Sequence, residues 1–149
     1  DCHFQLAVQD PSRYERARTN YFQAMHSPLA DIRTRSQAEI GLALVNEKLA
    51  KLKSPPEQKQ LMQEALDHCL NVAYRNNVAR GKGERPDPFW VSQAGQQAGR
   101  LAEAMQLGPQ AANMIQRLLG EFPQLAKTQP SLARKLQELR NTDGNSTIE

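Results

Sequence analysis

Asp67, His68 and Cys69 place three potential metal ligands side by side in the sequence. Neighbouring residues on an α-helix point about 100° apart, so these three side chains cannot all face one ion. The sequence offers no second cluster that would supply further ligands. We therefore predict no metal site, with Cys69 as a small core residue and His68 as its partly exposed neighbour.

The sequence also lacks the motifs of phosphate binding and of nucleophilic catalysis. Gly81-Lys82-Gly83 is glycine-rich, but a Walker loop requires G-x-x-x-x-G-K-[ST] after a strand. His3 and His26 stand without a CxxC motif, an HExxH motif or a glycine-flanked nucleophile. We therefore predict no catalytic residues, no cofactor and no enzymatic activity.

Composition limits the class of protein. The 149 residues carry a net charge of +3, a hydrophobic fraction of 39% and a mean hydropathy of -0.69. No apolar run approaches the roughly 20 residues of a membrane span. Two cysteines exclude a disulfide scaffold and leave the compartment open. Because the chain begins at Asp1, we expect a processed or engineered start.

Proline and glycine divide the sequence into predicted helices, and no segment alternates as a strand would. Asp10-Pro11 and Asp87-Pro88 each supply an N-cap followed by proline at the first helical position. Ser54 and Glu57 have the spacing of a capping box. One all-α domain over residues 1–140 is predicted, followed by a disordered polar tail over 141–149. Its six helices are expected at about 11–25, 31–53, 55–76, 88–107, 109–121 and 130–140.

Apolar residues follow a helical period within these segments. The second helix has an apolar arc wide enough for contact with two neighbours. Trp90 lies on the apolar arc of the fourth helix and is predicted to be core. Phe89 lies off that arc, and we expect it to pack against a preceding helix, with an exposed partner-binding ring as the alternative.

Small and apolar residues recur at i, i+4 and i+7 in three helices, and Ile40-Gly41-x-x-Leu44 is matched by Ala94-Gly95-x-x-Ala98. Antiparallel helices approach closely where a glycine or alanine faces a large side chain. These patterns, with Pro123 as a closing proline, resemble the tetratricopeptide repeat (TPR) family. The period exceeds that family's usual value of about 34 residues. HEAT- or armadillo-like helix pairs are the structural alternative. The recurring triplets are Ala17/Tyr21/Ala24, Ala65/Cys69/Val72 and Ala111/Ile115/Leu118.

The resemblance covers Pro11–Pro123 and implies a right-handed superhelical stack of antiparallel helix pairs, beginning with half a repeat. It also implies a non-catalytic scaffold that binds a partner peptide or helix in a groove lined by the first helix of each pair. An unpaired first helix would need either a longer array or self-association to cover it. Likeness to divergent bacterial envelope proteins favours the cell envelope or periplasm as the compartment.

The groove implied by the resemblance draws polar residues from the second and fourth helices. Glutamine amides both donate and accept hydrogen bonds, which suits binding to a peptide backbone. A merely solvated helix face is an equal alternative. The predicted partner-binding residues are Arg35, Asn46, Ser92, Gln96 and Arg100.

Basic residues give an alternative function, the weak binding of nucleic acid or of an anionic surface. Arg13, Arg16 and Arg18 lie close together on the first helix, and further arginines and lysines fall in the loop at 75–85. Acidic residues are mixed among them, and Tyr14 is the one aromatic residue among the arginines of the first helix. Solvated helix faces therefore account for most of these charges, and a protein partner is favoured over nucleic acid.

Overall fold

The computed structural model describes residues 10–79 and 81–145, with side chains described as far as residue 142. Within these ranges every regular element is an α-helix and no residue lies in a strand, which confirms the all-α prediction. The seven helices are α1 (Pro11–His26), α2 (Ile32–Ala50), α3 (Pro55–Ala73), α4 (Pro88–Ala104), α5 (Gly108–Glu121), α6 (Leu125–Thr128) and α7 (Pro130–Asn145).

Aspartate caps begin three of the helices. Asp10 accepts a hydrogen bond from the backbone N–H of Ser12 at 3.0 Å, and Asp31 accepts one from Thr34 at 2.7 Å. Asp87 accepts one from Phe89 at 2.9 Å. These bonds satisfy backbone donors that have no partner within the helix. The predicted capping box is wrong in one respect, because the side chain of Ser54 makes no capping hydrogen bond.

Three helices end about three residues earlier than predicted: α2 ends at Ala50 where residue 53 was expected, and α3 and α4 end just before residues with a positive φ. Arg75, just beyond α3, has a φ of 62°, and Gln106, just beyond α4, has a φ of 60°. A residue in this left-handed region commonly terminates a helix, although glycine usually fills the position. The expected ends near residues 76 and 107 were therefore too late by one turn or less.

The C-terminal part of the chain is more helical than predicted. Helix α6 is an unpredicted single turn, and α7 continues to Asn145 where a disordered tail was expected from residue 141. Once a helix has formed, adding residues to its end is easier than starting a new one. The Thr142 hydroxyl also donates within this turn to the Glu138 carbonyl at 3.0 Å. Residues 146–149 of the predicted tail lie outside the described part of the chain.

Contacts between Cα atoms divide the chain into two compact units, Asp1–Ala94 and Gly95–Glu149. In the first unit α2 packs against both α1 and α3, which confirms the prediction made from its wide apolar arc. One core cluster joins these three helices. Its buried members are Tyr14, Ala17, Val45, Leu49, Ala50 and Leu61.

A glycine brings α1 and α2 close together. A Cβ atom added to Gly41 would lie 2.6 Å from the Cε1 and Cζ atoms of Tyr21. The aromatic ring therefore occupies the space that any other residue's side chain would need. This contact confirms the packing argument made from the repeated small residues.

The second unit has a similar close approach. A Cβ on Gly95 would lie 2.5 Å from a methyl carbon of Leu118, so α4 and α5 are in direct contact. Helix α5 also packs against α7, and Lys135 of α7 forms an ion pair with Glu103 at 2.7 Å. Gly41 meets the preceding helix and Gly95 the following one, although the repeat pattern places them at corresponding positions.

Candidate functional site

The polar face of α4 presents three of the five predicted partner-binding residues. Ser92 and Gln96 are partly exposed and Arg100 is exposed, and their four-residue spacing puts them on one side of the helix. The opposite side is buried through Val91 and Ala94 and the apolar residues that follow them. Helix α4 therefore presents a polar surface rich in amides, with one hydroxyl and one guanidinium.

The guanidinium of Arg100 has a defined orientation on this face. Its Nε and Nη2 atoms both donate to Oε1 of Gln97, at 2.9 and 2.7 Å. Two donors of the planar guanidinium therefore converge on one amide oxygen, which fixes the plane of the charged group. An exposed charge held in this way loses less rotamer freedom when it meets a partner.

Arg35, predicted as a partner contact, makes several contacts within the fold. Its side chain is 13% exposed and forms an ion pair with Glu84. It also donates to the carbonyl of Ala30 at 2.6 Å and to that of Asn77 at 3.2 Å. Arg35 thereby fastens the chain after α3 onto the start of α2. A partner-binding role for Arg35 stays a prediction.

Asn46 is also engaged within the fold. It is only 1% exposed, and its Nδ2 atom donates to Oε2 of Glu64 at 3.5 Å. The same oxygen accepts from Arg18 at 3.1 Å, so α1, α2 and α3 meet at this carboxylate. Asn46 leaves a partner little surface to contact. Its position between Val45 and Leu49 on the apolar arc was the sequence signal for this burial.

A second polar contact between α2 and α3 was missed by sequence reasoning. The carboxylate of Glu39, with its side chain 6% exposed, lies 3.2 Å from Nδ1 of His68 and accepts from Nδ2 of Asn71 at 3.3 Å. His68 is partly exposed and Cys69 is fully buried, as predicted. Within the described residues, no three His, Cys, Asp or Glu side chains form a group that would hold a metal ion.

The N-terminal end of α3 borders a small cleft against α1. Its volume is about 200 Å³, and its apolar lining comes from Leu49 and Leu61. Glu15 and Glu57 bring negative charge to its walls, and Lys53 brings positive charge. Because charges of both signs surround the apolar lining, the cleft favours neither an anionic nor a cationic ligand.

The segment between α3 and α4, residues 74–87, is named here the α3–α4 loop. Gly81 and Gly83 have φ values of 78° and 61°, and Lys82 and Arg85 are exposed. Phe89, just beyond the loop, is 56% exposed and lies edge-on to Trp90 with ring centroids 4.9 Å apart. The expected burial of Phe89 is wrong, and Trp90 is only partly buried. Arg80 lies outside the described residues.

Glu84 should make the attachment of the α3–α4 loop sensitive to acid. The backbone N–H of Ala79, then the bond with Arg35 and the charge of Lys82, hold the pKa of Glu84 below its usual 4.5. A carboxyl whose pKa is lowered on folding stabilises the fold above the unfolded pKa and ceases to do so as pH falls through the folded one. We therefore expect the urea midpoints of wild type and Glu84→Gln to differ at pH 7 and to converge below pH 4.5. If the urea midpoints of the two proteins instead differed by the same amount at every pH, Glu84 would not have this role.

No described helix combines the length and apolar character needed to cross a membrane. Comparisons with protein-family models, with curated proteins and with solved structures give no match to this chain.

Proposed function

We propose that this protein is a non-catalytic interaction module that binds another protein along the polar face of α4. The observation that carries the proposal is the row of Ser92, Gln96 and Arg100 on one side of that helix, with the guanidinium oriented by Gln97. In this proposal the helices form a TPR-like superhelical stack of antiparallel pairs, and α4 lines its groove.

The chemistry of the face favours an extended segment of the partner. A glutamine side chain offers two donors and one acceptor oxygen, which match the alternating N–H and C=O groups of an extended backbone. In a partner helix these backbone groups already bond to one another. A neutral amide also selects by geometry rather than by charge, and Arg100 adds a site for an acceptor or a carboxylate.

The support beneath the face favours binding without rearrangement. Gly95 and Gly99 allow α5 to approach α4 closely, with Leu118 and Ile115 filling the space beside them. A helix packed this closely is held in place, so the side chains on its surface keep their relative positions. Less conformational entropy is then lost when a partner docks.

Affinity capture from the source cell tests the proposal. Wild type is compared with Gln96→Glu/Arg100→Glu and with a control, Gln124→Glu/Arg134→Glu, which makes the same charge change at exposed residues elsewhere. We expect proteins captured by wild type and control to fall at least about tenfold with the α4 variant, because contacts at the centre of an interface carry most of its energy. Circular dichroism verifies that all three chains are folded. Equal capture by all three chains would refute the proposed surface.

A further inference from the structure

The α3–α4 loop is attached to the rest of the first unit at both of its limbs. On the first limb the carbonyl of Asn77 accepts from Arg35, and its Nδ2 donates to the hydroxyl of Ser36 at 3.0 Å. On the second limb Glu84 pairs with Arg35 and accepts from the backbone N–H of Ala79 at 3.0 Å. Lys82, which lies between these limbs, and Arg85, which follows the second, are therefore presented from a fixed base, as residues of binding loops commonly are.

Charge is segregated within this loop. Glu84 is 12% exposed and is engaged by Arg35, while Asp87 caps the first turn of α4. Lys82 and Arg85 instead are exposed to solvent. Although the loop sequence mixes acids and bases, its acids serve internal bonds and its exposed charge is positive.

An exposed aromatic ring follows these cations. Phe89 is 56% exposed, and its ring is supported edge-on by Trp90. Phe89 follows Arg85 by four positions, so their Cα atoms lie at most about 14 Å apart. An exposed aromatic ring that follows two exposed cations within a few residues of the chain is a combination suited to single-stranded nucleic acids, in which phosphates meet the cations and bases stack on the ring.

We propose that the α3–α4 loop binds single-stranded nucleic acid, with Lys82 and Arg85 contacting phosphates and Phe89 stacking on a base. A single strand is favoured over a duplex because its base faces are accessible to the ring. It is favoured over an acidic protein segment because carboxylates match the cations but offer no planar base. This surface is distinct from the α4 face proposed to bind protein.

Fluorescence anisotropy with a labelled 12-nucleotide oligothymidylate measures this binding. Two phosphate contacts predict that log K falls with log salt with a slope of about −1.4. Lys82→Glu/Arg85→Glu should abolish binding at 50 mM salt. The control Lys59→Glu/Arg134→Glu makes the same charge change at exposed residues elsewhere and should retain most of the affinity.

Phe89→Ala distinguishes stacking from charge attraction alone. We expect it to weaken binding by about tenfold while leaving the salt slope unchanged, because stacking releases no counterions. Several results would overturn the proposal: no binding at 50 mM salt, equal losses in the two charge variants, or no effect of Phe89→Ala. So would displacement of the oligonucleotide by polyglutamate or phosphatidylserine vesicles at equal charge concentration.

Discussion

Gly41→Leu is expected to lower the free energy of unfolding by about 3 kcal/mol, at the upper end of the usual cost of overpacking a core. Even a Cβ at this position lies 2.6 Å from two carbons of the Tyr21 ring, and leucine adds three more carbons. Tyr21 is partly buried and packs against the core cluster of the first unit, so shifting its ring disturbs that packing. The urea midpoint at constant m-value measures the loss.

Gly120→Leu is the matched control. Gly120 lies within α5, and a Cβ built there has nothing within 4 Å. Leucine at this site should raise stability by about 0.5 kcal/mol, because glycine is the weaker helix former. Adding Tyr21→Ala to Gly41→Leu should restore part of the loss by removing the clashing ring. Equal stability of the two leucine variants would show that α1 and α2 do not approach as described.

Helix starts were predictable because the interactions that set them are local. Asp10 bonds to the second residue after it, and Asp87 does the same, so each signal is complete within three positions of the sequence. Proline at the next position adds a fixed φ compatible with the helix. The structure begins helices at both of these signals.

Helix ends were harder to predict because they fall at unusual residues. Arg75 and Gln106 adopt positive φ, which costs a residue with a Cβ about 1 kcal/mol. The surrounding structure must supply that energy, and no spacing within the sequence records it. Both helices therefore end before the residues that sequence reasoning selected.

The difference between local and long-range interactions also explains which predicted site residues are exposed. Gln96 and Arg100 follow from the period of α4, since their own helix decides which side they face. Arg35 and Asn46 acquire their surroundings from distant residues, Glu84 at a separation of 49 positions and Glu64 at 18. Periodicity predicts which face of its helix a residue lies on. It does not predict which polar group of another element the residue will contact.

These internal contacts give α2 an unusual combination of close packing and buried polarity. Ser36, Glu39 and Asn46 are each at most 4% exposed. Glu39 and the Nδ2 atom of Asn46 bond across to α3, so they restrict how far α2 can slide or rotate against it. Ser36 bonds instead to the Ile32 carbonyl of α2 and to Asn77 of the α3–α4 loop. Leucine and alanine contacts tolerate such shifts more readily. Glu39 is the charged member of this set and the most informative residue to replace.

Glu39→Ala is expected to destabilise the protein by about 2 kcal/mol, because it removes the acceptor shared by His68 and Asn71 and leaves a cavity. His68 is 23% exposed and regains some solvation, which keeps the loss below that of a fully buried ion pair. Glu39→Gln retains an acceptor oxygen of similar size and should lose much less. Urea midpoints of the three proteins at pH 7 measure both effects.

A double-mutant cycle then assigns this loss to the contact between the two helices. If the carboxylate stabilises the fold through His68, the loss of stability in the double variant should differ from the sum of the losses in Glu39→Ala and His68→Ala by about 1 kcal/mol. The same cycle with His26→Ala should be additive, because His26 lies on α1 and bonds to its own helix at the Phe22 carbonyl. Additivity in both cycles would mean that Glu39 does not stabilise the fold through His68, which would leave the bond from Asn71 as its contact with α3.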